Sequence, residues 1–205
     1  MREIDEAEAE RHKAKMARRK AVQDAEVEAK PTAEKGLLIV NTGPGKGKST
    51  AAFGLALRML GHGRRVGVVQ FIKGAWQTGE KEALALFGDR VVWYTMGEGF
   101  TWETQDLKRD IAAAARAWEM ARRLMDDPSF GLIILDEMNI ALRYDYLDLD
   151  SVIATLNARR AGLHVIVTGR NAKPPLIEAA DLVTEMGQAK HHFAAGVKAQ
   201  QGIEF

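Results

Sequence analysis

Cysteine is absent from this sequence of 205 residues, which excludes disulfides and thiolate chemistry and leaves oxygen or histidine as ligands for any metal. Long apolar runs are absent too. None approaches the ~20 residues of a membrane-spanning helix, and the charged N-terminus lacks the apolar region of a signal peptide. We therefore expect a cytoplasmic protein with no membrane partner. The formal net charge of +1 gives no overall attraction to nucleic acid, and we expect none as a partner.

The composition of the chain changes near residue 35. Residues 1–35 contain nine basic and nine acidic residues in alternating blocks, with alanines and almost no large apolar side chain. We predict a charged helical arm or lid there. Its weak alanine stripe would bury too little apolar surface to hold the helix alone. A solvated arm and a lid that orders over a ligand remain alternatives. Residues 36–205 are long enough for one α/β domain.

The stretch over residues 36–60 reads GLLIVNTGPGKGKSTAAFGLALRML. Residues 37–40 predict a buried strand and residues 51–60 a helix, with a loop of three glycines and two lysines between them. We call residues 42–50 the phosphate loop, since backbone N–H groups that curl into a helix N-terminus form an anion site. The Walker A pattern is irregular here: Thr42 stands where its first glycine belongs, and Gly43 comes one residue late.

Two later strands end in charged residues. Residues 131–139, GLIILDEMN, form an apolar strand that ends in Asp136 and Glu137, the arrangement in which a carboxylate holds Mg²⁺ opposite Ser49 of the phosphate loop. Arg170 follows a strand over residues 164–168, where it reaches a phosphate or a ligand carboxylate, or is an ordinary surface arginine. Earlier in the chain, the strand, helix and strand over residues 37–40, 51–60 and 66–72 predict parallel pairing by a right-handed crossover, with ligand at the carboxyl ends.

The predicted fold class is therefore α/β, a three-layer domain of the phosphate-loop NTPase (RecA-like) type. It has a mostly parallel central sheet of about six strands with helices on both faces. Thr104 is predicted to cap the longest helix of the domain. The adjacent His191 and His192 are expected to point apart, which argues against a metal site shared between them.

A loop over residues 96–102, MGEGFTW, places Phe100 and Trp102 after a third predicted strand over residues 91–96. Large aromatic side chains are costly to expose, so they pack against the protein itself or against a large flat apolar ligand. The residues alone leave both alternatives open.

Together the segments TGPGKGKSTAAFG, GHGRRVGVVQFIKG, GFTWET, LDE, TGR and AAGVKAQQGIEF resemble the phosphate-loop ATP:corrinoid adenosyltransferases. The resemblance implies transfer of the 5′-deoxyadenosyl group of ATP to the cobalt of a reduced corrinoid, with release of triphosphate. It implies that residues 36–205 form the adenosyltransferase domain, and it implies a homodimer and a flavoprotein electron donor. It also implies Mg²⁺ as cofactor, with Mn²⁺ as a substitute.

Site residues follow from the same resemblance. The resemblance assigns catalytic roles to Lys48, Phe100, Trp102 and Glu137. It assigns corrinoid binding to Phe100 and Trp102, and metal binding to Ser49 and Glu137. ATP binding falls to Thr42, Gly43, Gly45, Lys46, Gly47, Lys48, Ser49, Thr50 and Arg170. Pro44 departs from the family pattern, because proline offers no N–H to a phosphate.

Two other functions fit part of the sequence. A plain ATPase, kinase or GTPase would share the phosphate loop and the carboxylates, although no N-K-x-D run selects guanine. A non-catalytic module that senses nucleotide or binds nucleic acid would use the basic block over residues 11–20. The near-neutral charge and the lack of interleaved aromatic and basic residues count against it.

Overall fold

The structure is a computed structural model that describes residues 5–30, 35–72, 78–96 and 106–204. Contacts divide the chain into two units, Met1–Glu34 and Lys35–Phe205. The described part of the first unit contains one helix, α1 (Glu6–Glu28), along which no residue is buried. Asp5 caps it by accepting a hydrogen bond from the Glu8 N–H at 2.6 Å, and Lys20 and Asp24 form an ion pair on its surface. Local helix propensity and capping therefore account for this helix.

The second unit is a single six-stranded sheet with helices on both faces. Its strands are β1 (Leu38–Thr42), β2 (Arg65–Gln70), β3 (Val91–Thr95), β4 (Phe130–Asp136), β5 (His164–Thr168) and β6 (Leu182–Glu185). Its α-helices in the described ranges are α2 (Lys48–Gly61), α3 (Gly79–Ala85), α4 (Leu107–Asp126), α5 (Met138–Arg143), α6 (Leu149–Asn157) and α7 (Pro174–Ala179). None of these helices, nor α1, is both long and apolar enough to cross a lipid bilayer.

All five strand pairings are parallel, and the strand order is β3-β2-β4-β5-β1-β6. The predicted fold class is confirmed. Strand β5 separates β1, which leads into the phosphate loop, from β4, which ends in the carboxylate pair. Because every strand runs the same way, all six carboxyl ends meet at one edge of the sheet.

The core lies on both faces of the sheet, because successive side chains of a strand point to opposite faces. On one face Ile39 and Ile134 pack with Phe53 and Leu60 of α2. The opposite face holds Leu38, Ile133 and Val165, with alanines of α4 between them. Strands β1 and β4 are buried along their whole length. Side chains at their carboxyl ends therefore lie at the boundary between the core and the solvent.

The structure differs from the sequence-based expectation at three helices. Asp106 caps α4 by accepting from the Arg109 N–H at 3.1 Å, whereas the predicted cap, Thr104, lies outside the described residues. The sequence pattern predicts a helix over residues 151–157 before β5, and this helix begins two residues earlier, at Leu149, because Asp148 caps it. Helix α5 was not predicted at all, since six residues are too few to show a periodic pattern.

Asp181 joins the start of β6 to the rest of the sheet. Its carboxylate accepts hydrogen bonds from the Leu38 N–H at 2.9 Å and from the Arg159 guanidinium at 3.0 Å, and it pairs with Lys35. The side chain of Arg159 is only 7% exposed, so Asp181 compensates a buried charge. The hydrogen bond from Lys35, with further contributions from the Leu38 N–H and nearby positive charges, lowers the pKa of Asp181.

We expect Asp181→Asn to lower the free energy of unfolding by about 1–3 kcal/mol at pH 7, since it weakens charge-assisted hydrogen bonds to a buried partner. A carboxyl with a lowered pKa in the folded state stabilises above its unfolded pKa of about 3.9 and loses that contribution as pH falls through the folded pKa. Urea unfolding at several pH values measures the difference, which should shrink in acid. The exposed Asp126→Asn is the matched control, and equal effects of the two variants would contradict the assignment.

Candidate active site

A cavity of about 660 Å³ opens at the carboxyl edge of the sheet. It is lined by the phosphate loop, the ends of β2 and β4, the start of α3, helix α5, the turn after β5 and the C-terminal segment. Of the ten predicted site residues that the structure describes, eight line the cavity and two do not. The eight are Gly45, Lys46, Gly47, Lys48, Ser49, Thr50, Glu137 and Arg170, and Asp136 joins them. Thr42 and Gly43 do not line it.

Two positions of the phosphate loop require glycine, because the chain after β6 lies too close to leave room for a side chain. A Cβ on Gly43 would lie 2.5 Å from the Met186 carbonyl oxygen, and one on Gly45 would lie 2.3 Å from that of Gly187. The Gly45 N–H donates to the Met186 carbonyl at 2.7 Å. Gly47 has φ of 101°, a left-handed conformation that glycine adopts readily, and it caps α2.

Thr42 connects the phosphate loop to the turn after β5. Its hydroxyl accepts a hydrogen bond from the Ala172 N–H at 3.0 Å, and its carbonyl accepts from the Met186 N–H at 2.8 Å. The residue that replaces the first Walker A glycine therefore holds two neighbouring segments together behind the cavity.

Lys48 is the first residue of α2 and is only 7% exposed. Its Nζ donates to the Gly45 carbonyl within the same loop. Burial lowers the pKa of Lys48, while the nearby Glu137 carboxylate acts in the opposite direction. A desolvated ammonium at the start of a helix is a strong attractor for phosphate oxygens.

Glu137 follows β4 in an unusual backbone conformation. Its φ of 56° lies in the left-handed region that non-glycine residues seldom adopt, and the chain turns there directly into α5. One carboxylate oxygen, Oε2, is buried without a hydrogen-bond partner. Burial is the main cause that raises the pKa of Glu137 to about 7, with the neighbouring Asp136 adding to it and Lys48 opposing it.

Asp136 is held on both oxygens. The Thr168 hydroxyl donates to Oδ1 at 2.8 Å, and the Gln70 amide donates to Oδ2 at 3.2 Å. Sequence reasoning did not assign a role to Gln70 or Thr168. The available signals were their position as the last residues of their strands and their place in the segments GHGRRVGVVQFIKG and TGR. Of the carboxylate pair, Glu137 is the one with an unpartnered oxygen.

The C-terminal segment also reaches the phosphate loop, which the sequence did not predict. Glu204 pairs with Lys46, and the resulting hydrogen bond lowers the pKa of Glu204. His192 lies 3.0 Å from the other oxygen of Glu204. The expectation that His191 and His192 point apart is wrong: their rings stack with centroids 4.7 Å apart, and ligand atoms of both lie within 4.8 Å of Glu204.

Phe100 and Trp102 lie outside the described residues, so their predicted contact with a corrinoid stays a prediction. The exposed guanidinium of Arg170 lies near enough to Lys48 and Glu137 to influence the pKa of both groups. Ser49 is half-buried and Thr50 exposed, both in the first turn of α2.

Comparison with known proteins identifies the family. The model of the ATP:corrinoid adenosyltransferases BtuR/CobO/CobP matches residues 34–205. The chain belongs to this family. A separate model, described as the N terminal of cob(I)alamin adenosyltransferase, matches residues 2–27.

Individual relatives agree with the family model. A corrinoid adenosyltransferase of Pseudomonas aeruginosa is 56% identical over 96% of this chain and 96% of its own. One from Escherichia coli is 46% identical over 96% of this chain and 98% of its own. Among solved structures, the flagellar accessory protein FlaH of Methanocaldococcus jannaschii covers 75% of this chain and 71% of its own, with 13% identity and a TM-score of 0.47.

We expect Glu137→Gln to raise the melting temperature by about 3 °C or more at pH 8 and to leave it unchanged near pH 4.5. The folded-state pKa of about 7 lies above the ordinary glutamate pKa of 4.5, so between these pH values the folded protein retains a proton that the unfolded chain has lost. Wild-type stability therefore falls as pH rises through that window, and glutamine removes the effect. Thermal melts across this range test it, with the exposed Glu178→Gln as control. Equal melting of wild type and Glu137→Gln at pH 8 would contradict the raised pKa.

Proposed function

We propose that this protein transfers the 5′-deoxyadenosyl group of ATP to the cobalt of a reduced corrinoid and releases triphosphate. The match of residues 34–205 to the family model carries the proposal. The cavity at the phosphate loop supports it with a buried lysine, a carboxylate that has a free oxygen and an arginine.

The reaction needs no general base. The Co(I) nucleophile of the corrinoid attacks the ribose C5′ of ATP, the Co–C5′ bond forms, and the C5′–O5′ bond breaks. The bonding electron pair leaves with the triphosphate, and no proton has to be removed from the nucleophile. What the protein must supply is alignment of the two substrates and stabilisation of the charge that grows on the leaving group.

Lys48 and Arg170 are proposed to neutralise the triphosphate, together with the N–H groups at the start of α2. The side chains of Lys46, Ser49 and Thr50 and the backbone N–H of Gly47 complete the proposed ATP contacts. Gly45 contributes by its place in the cavity wall, since its own N–H donates to the Met186 carbonyl. Lys46 can bind phosphate while it pairs with Glu204, because an ammonium has three donors. Thr42 and Gly43 act indirectly, by holding the phosphate loop against the turn after β5 and against Met186.

Mg²⁺ is proposed to bind between Ser49 and Glu137, with Mn²⁺ as a substitute. The donor set fits a hard cation, since a hydroxyl and a carboxylate offer oxygen ligands and the buried Glu137 Oε2 lacks a partner. A cation there would offset the charge of the triphosphate. Asp136 is proposed to act indirectly, because both of its oxygens already accept hydrogen bonds.

Phe100 and Trp102 are proposed to pack against the lower face of the corrin ring and to exclude an axial ligand from cobalt. Adding an electron to Co(II) fills an orbital along that axis, so removal of the donor makes reduction easier. The electron is proposed to come from a flavoprotein. A homodimer is proposed from the family resemblance, and light scattering of the purified protein tests it.

Product analysis tests the proposed function directly. With ATP, Mg²⁺ and chemically reduced cob(I)alamin, we expect triphosphate and a light-sensitive cobalt–carbon product in equal amounts. Lys48→Ala should lower the rate by about 10²–10³-fold, the range for removing one donor that stabilises transition-state charge. The exposed Lys190→Ala is its matched control. Formation of ADP or phosphate in place of triphosphate would instead indicate an ATPase or a kinase.

For the aromatic pair, we expect Phe100→Ala and Trp102→Ala to lower adenosylation of a Co(II) substrate while ATP affinity stays unchanged. The apolar bulk acts on cobalt and not on the nucleotide. Isothermal titration with ATP and spectroscopic assay of the product measure the two effects separately. Phe193→Ala, at a side chain that is 71% exposed, is the control. An equal loss of ATP affinity in the two variants would show a folding defect and remove the proposed role.

A further inference from the structure

The last residues of four adjacent strands form a continuous row of hydrogen bonds along the carboxyl edge. They are Thr95 of β3, Gln70 of β2, Asp136 of β4 and Thr168 of β5. Strand pairing places Gln70 directly beside both Thr95 and Asp136. The strand order sets Thr168 on the other side of Asp136. Four ordinary polar residues, far apart in sequence, thus become neighbours.

The direction of each hydrogen bond follows from Asp136, because a carboxylate can only accept. The Gln70 amide must therefore turn its Nε2 toward Asp136 at 3.2 Å, which leaves its Oε1 to accept from the Thr95 hydroxyl at 3.4 Å. On the other side the Thr168 hydroxyl donates to Asp136 Oδ1 at 2.8 Å. The same hydroxyl then has lone pairs left to accept a further hydrogen bond.

Its second partner is the backbone of the proposed metal ligand. The Glu137 N–H donates to the Thr168 Oγ1 at 2.9 Å, and it is at Glu137 that the backbone becomes left-handed, with φ of 56°. Such a conformation is strained for glutamate and persists only where surrounding contacts enforce it. Thr168 is fully buried, so its hydroxyl meets no competing water.

The residue after Thr168 makes room for the Glu137 side chain. Gly169 has φ of 121°, and a Cβ there would lie 2.9 Å from the Asn139 Cβ and 3.1 Å from the Glu137 Oε2. The Asn139 amide in turn donates to the Gly169 carbonyl at 2.9 Å. The end of β5 therefore contacts both the backbone and the carboxylate of Glu137.

We propose that Thr168 and Gln70 are positioning residues that fix Asp136 and thereby orient Glu137 toward the bound cation. The proposal rests on the function proposed above, because it takes Glu137 as the metal ligand. Thr168 carries most of the effect, since it bridges the Asp136 carboxylate and the Glu137 N–H. Gln70 acts from one side only, through Asp136.

The test measures how far a cation strengthens ATP binding. The full-length protein is titrated with ATP by isothermal titration calorimetry without corrinoid, once with a chelator and once with Mn²⁺. The dissociation constant with chelator divided by that with Mn²⁺ is the metal enhancement. In Thr168→Val we expect unchanged affinity for ATP in the presence of chelator and a metal enhancement that is reduced by about 10-fold. This is the lower end of the loss in metal affinity when a residue that orients a metal ligand is removed. Gln70→Leu should reduce the enhancement by a smaller factor.

Two further variants serve as controls. Thr168→Ser keeps the hydroxyl and should restore the enhancement. Thr155→Val removes a hydroxyl that donates to the Ser151 carbonyl in α6, at 2.9 Å, and should behave as wild type.

Three results would overturn the proposal. One is an unchanged enhancement in Thr168→Val; another is an equal loss of both affinities, which indicates a structural role alone. The third is absence of any Mn²⁺ enhancement in the wild type. The proposed function is judged separately, by whether the wild type forms triphosphate and an adenosylated corrinoid.

Discussion

The partial burial of two groups of opposite charge at the cavity, Lys48 and Glu137, is the constraint on which the rest of the site depends. Burial lowers the pKa of the lysine and raises that of the glutamate, so each group is drawn toward its neutral form and held back by the other. Neither charge is fully satisfied by the protein alone. Such a pair is suited to a ligand that brings both signs, a triphosphate and its cation, because fixed charges in a low-dielectric site act strongly without reorganisation.

The parallel sheet is what makes this partial burial possible. Strands β1 and β4 are buried along their whole length, so the residues at their carboxyl ends leave the core without reaching open solvent. A carboxylate in that position needs hydrogen bonds, and the neighbouring strands supply them through Gln70 and Thr168. The strain at Glu137 and the hydrogen-bonded row are thus two consequences of ending a buried strand in two acidic residues.

Much of this could be predicted from the sequence, because apolar runs indicate buried strands: β5 begins and ends where expected, at His164 and Thr168. The phosphate loop and the carboxylate pair were found by local motifs. Residues that act through distant partners could not be found this way. Glu204 lies 158 positions from Lys46, and nothing near either residue signals the pair. Helix α5 depends on a left-handed glutamate, which no propensity favours.

Contacts of the phosphate loop with the chain after β6 reduce the number of backbone donors that the loop can offer to a phosphate. The Gly45 N–H donates to the Met186 carbonyl, and Pro44 has no N–H group. Two amides that a regular loop could offer to a phosphate are therefore not available. The remaining donors are concentrated at the start of α2. On the proposed function, fewer backbone donors make neutralisation of the triphosphate depend more on the side chains of Lys48 and Arg170. Adenosyl transfer would develop charge on O5′ at the α-phosphate end of the leaving group, whereas phosphoryl transfer develops it between the β- and γ-phosphates. On the proposed function, the irregular loop is therefore suited to holding a leaving group.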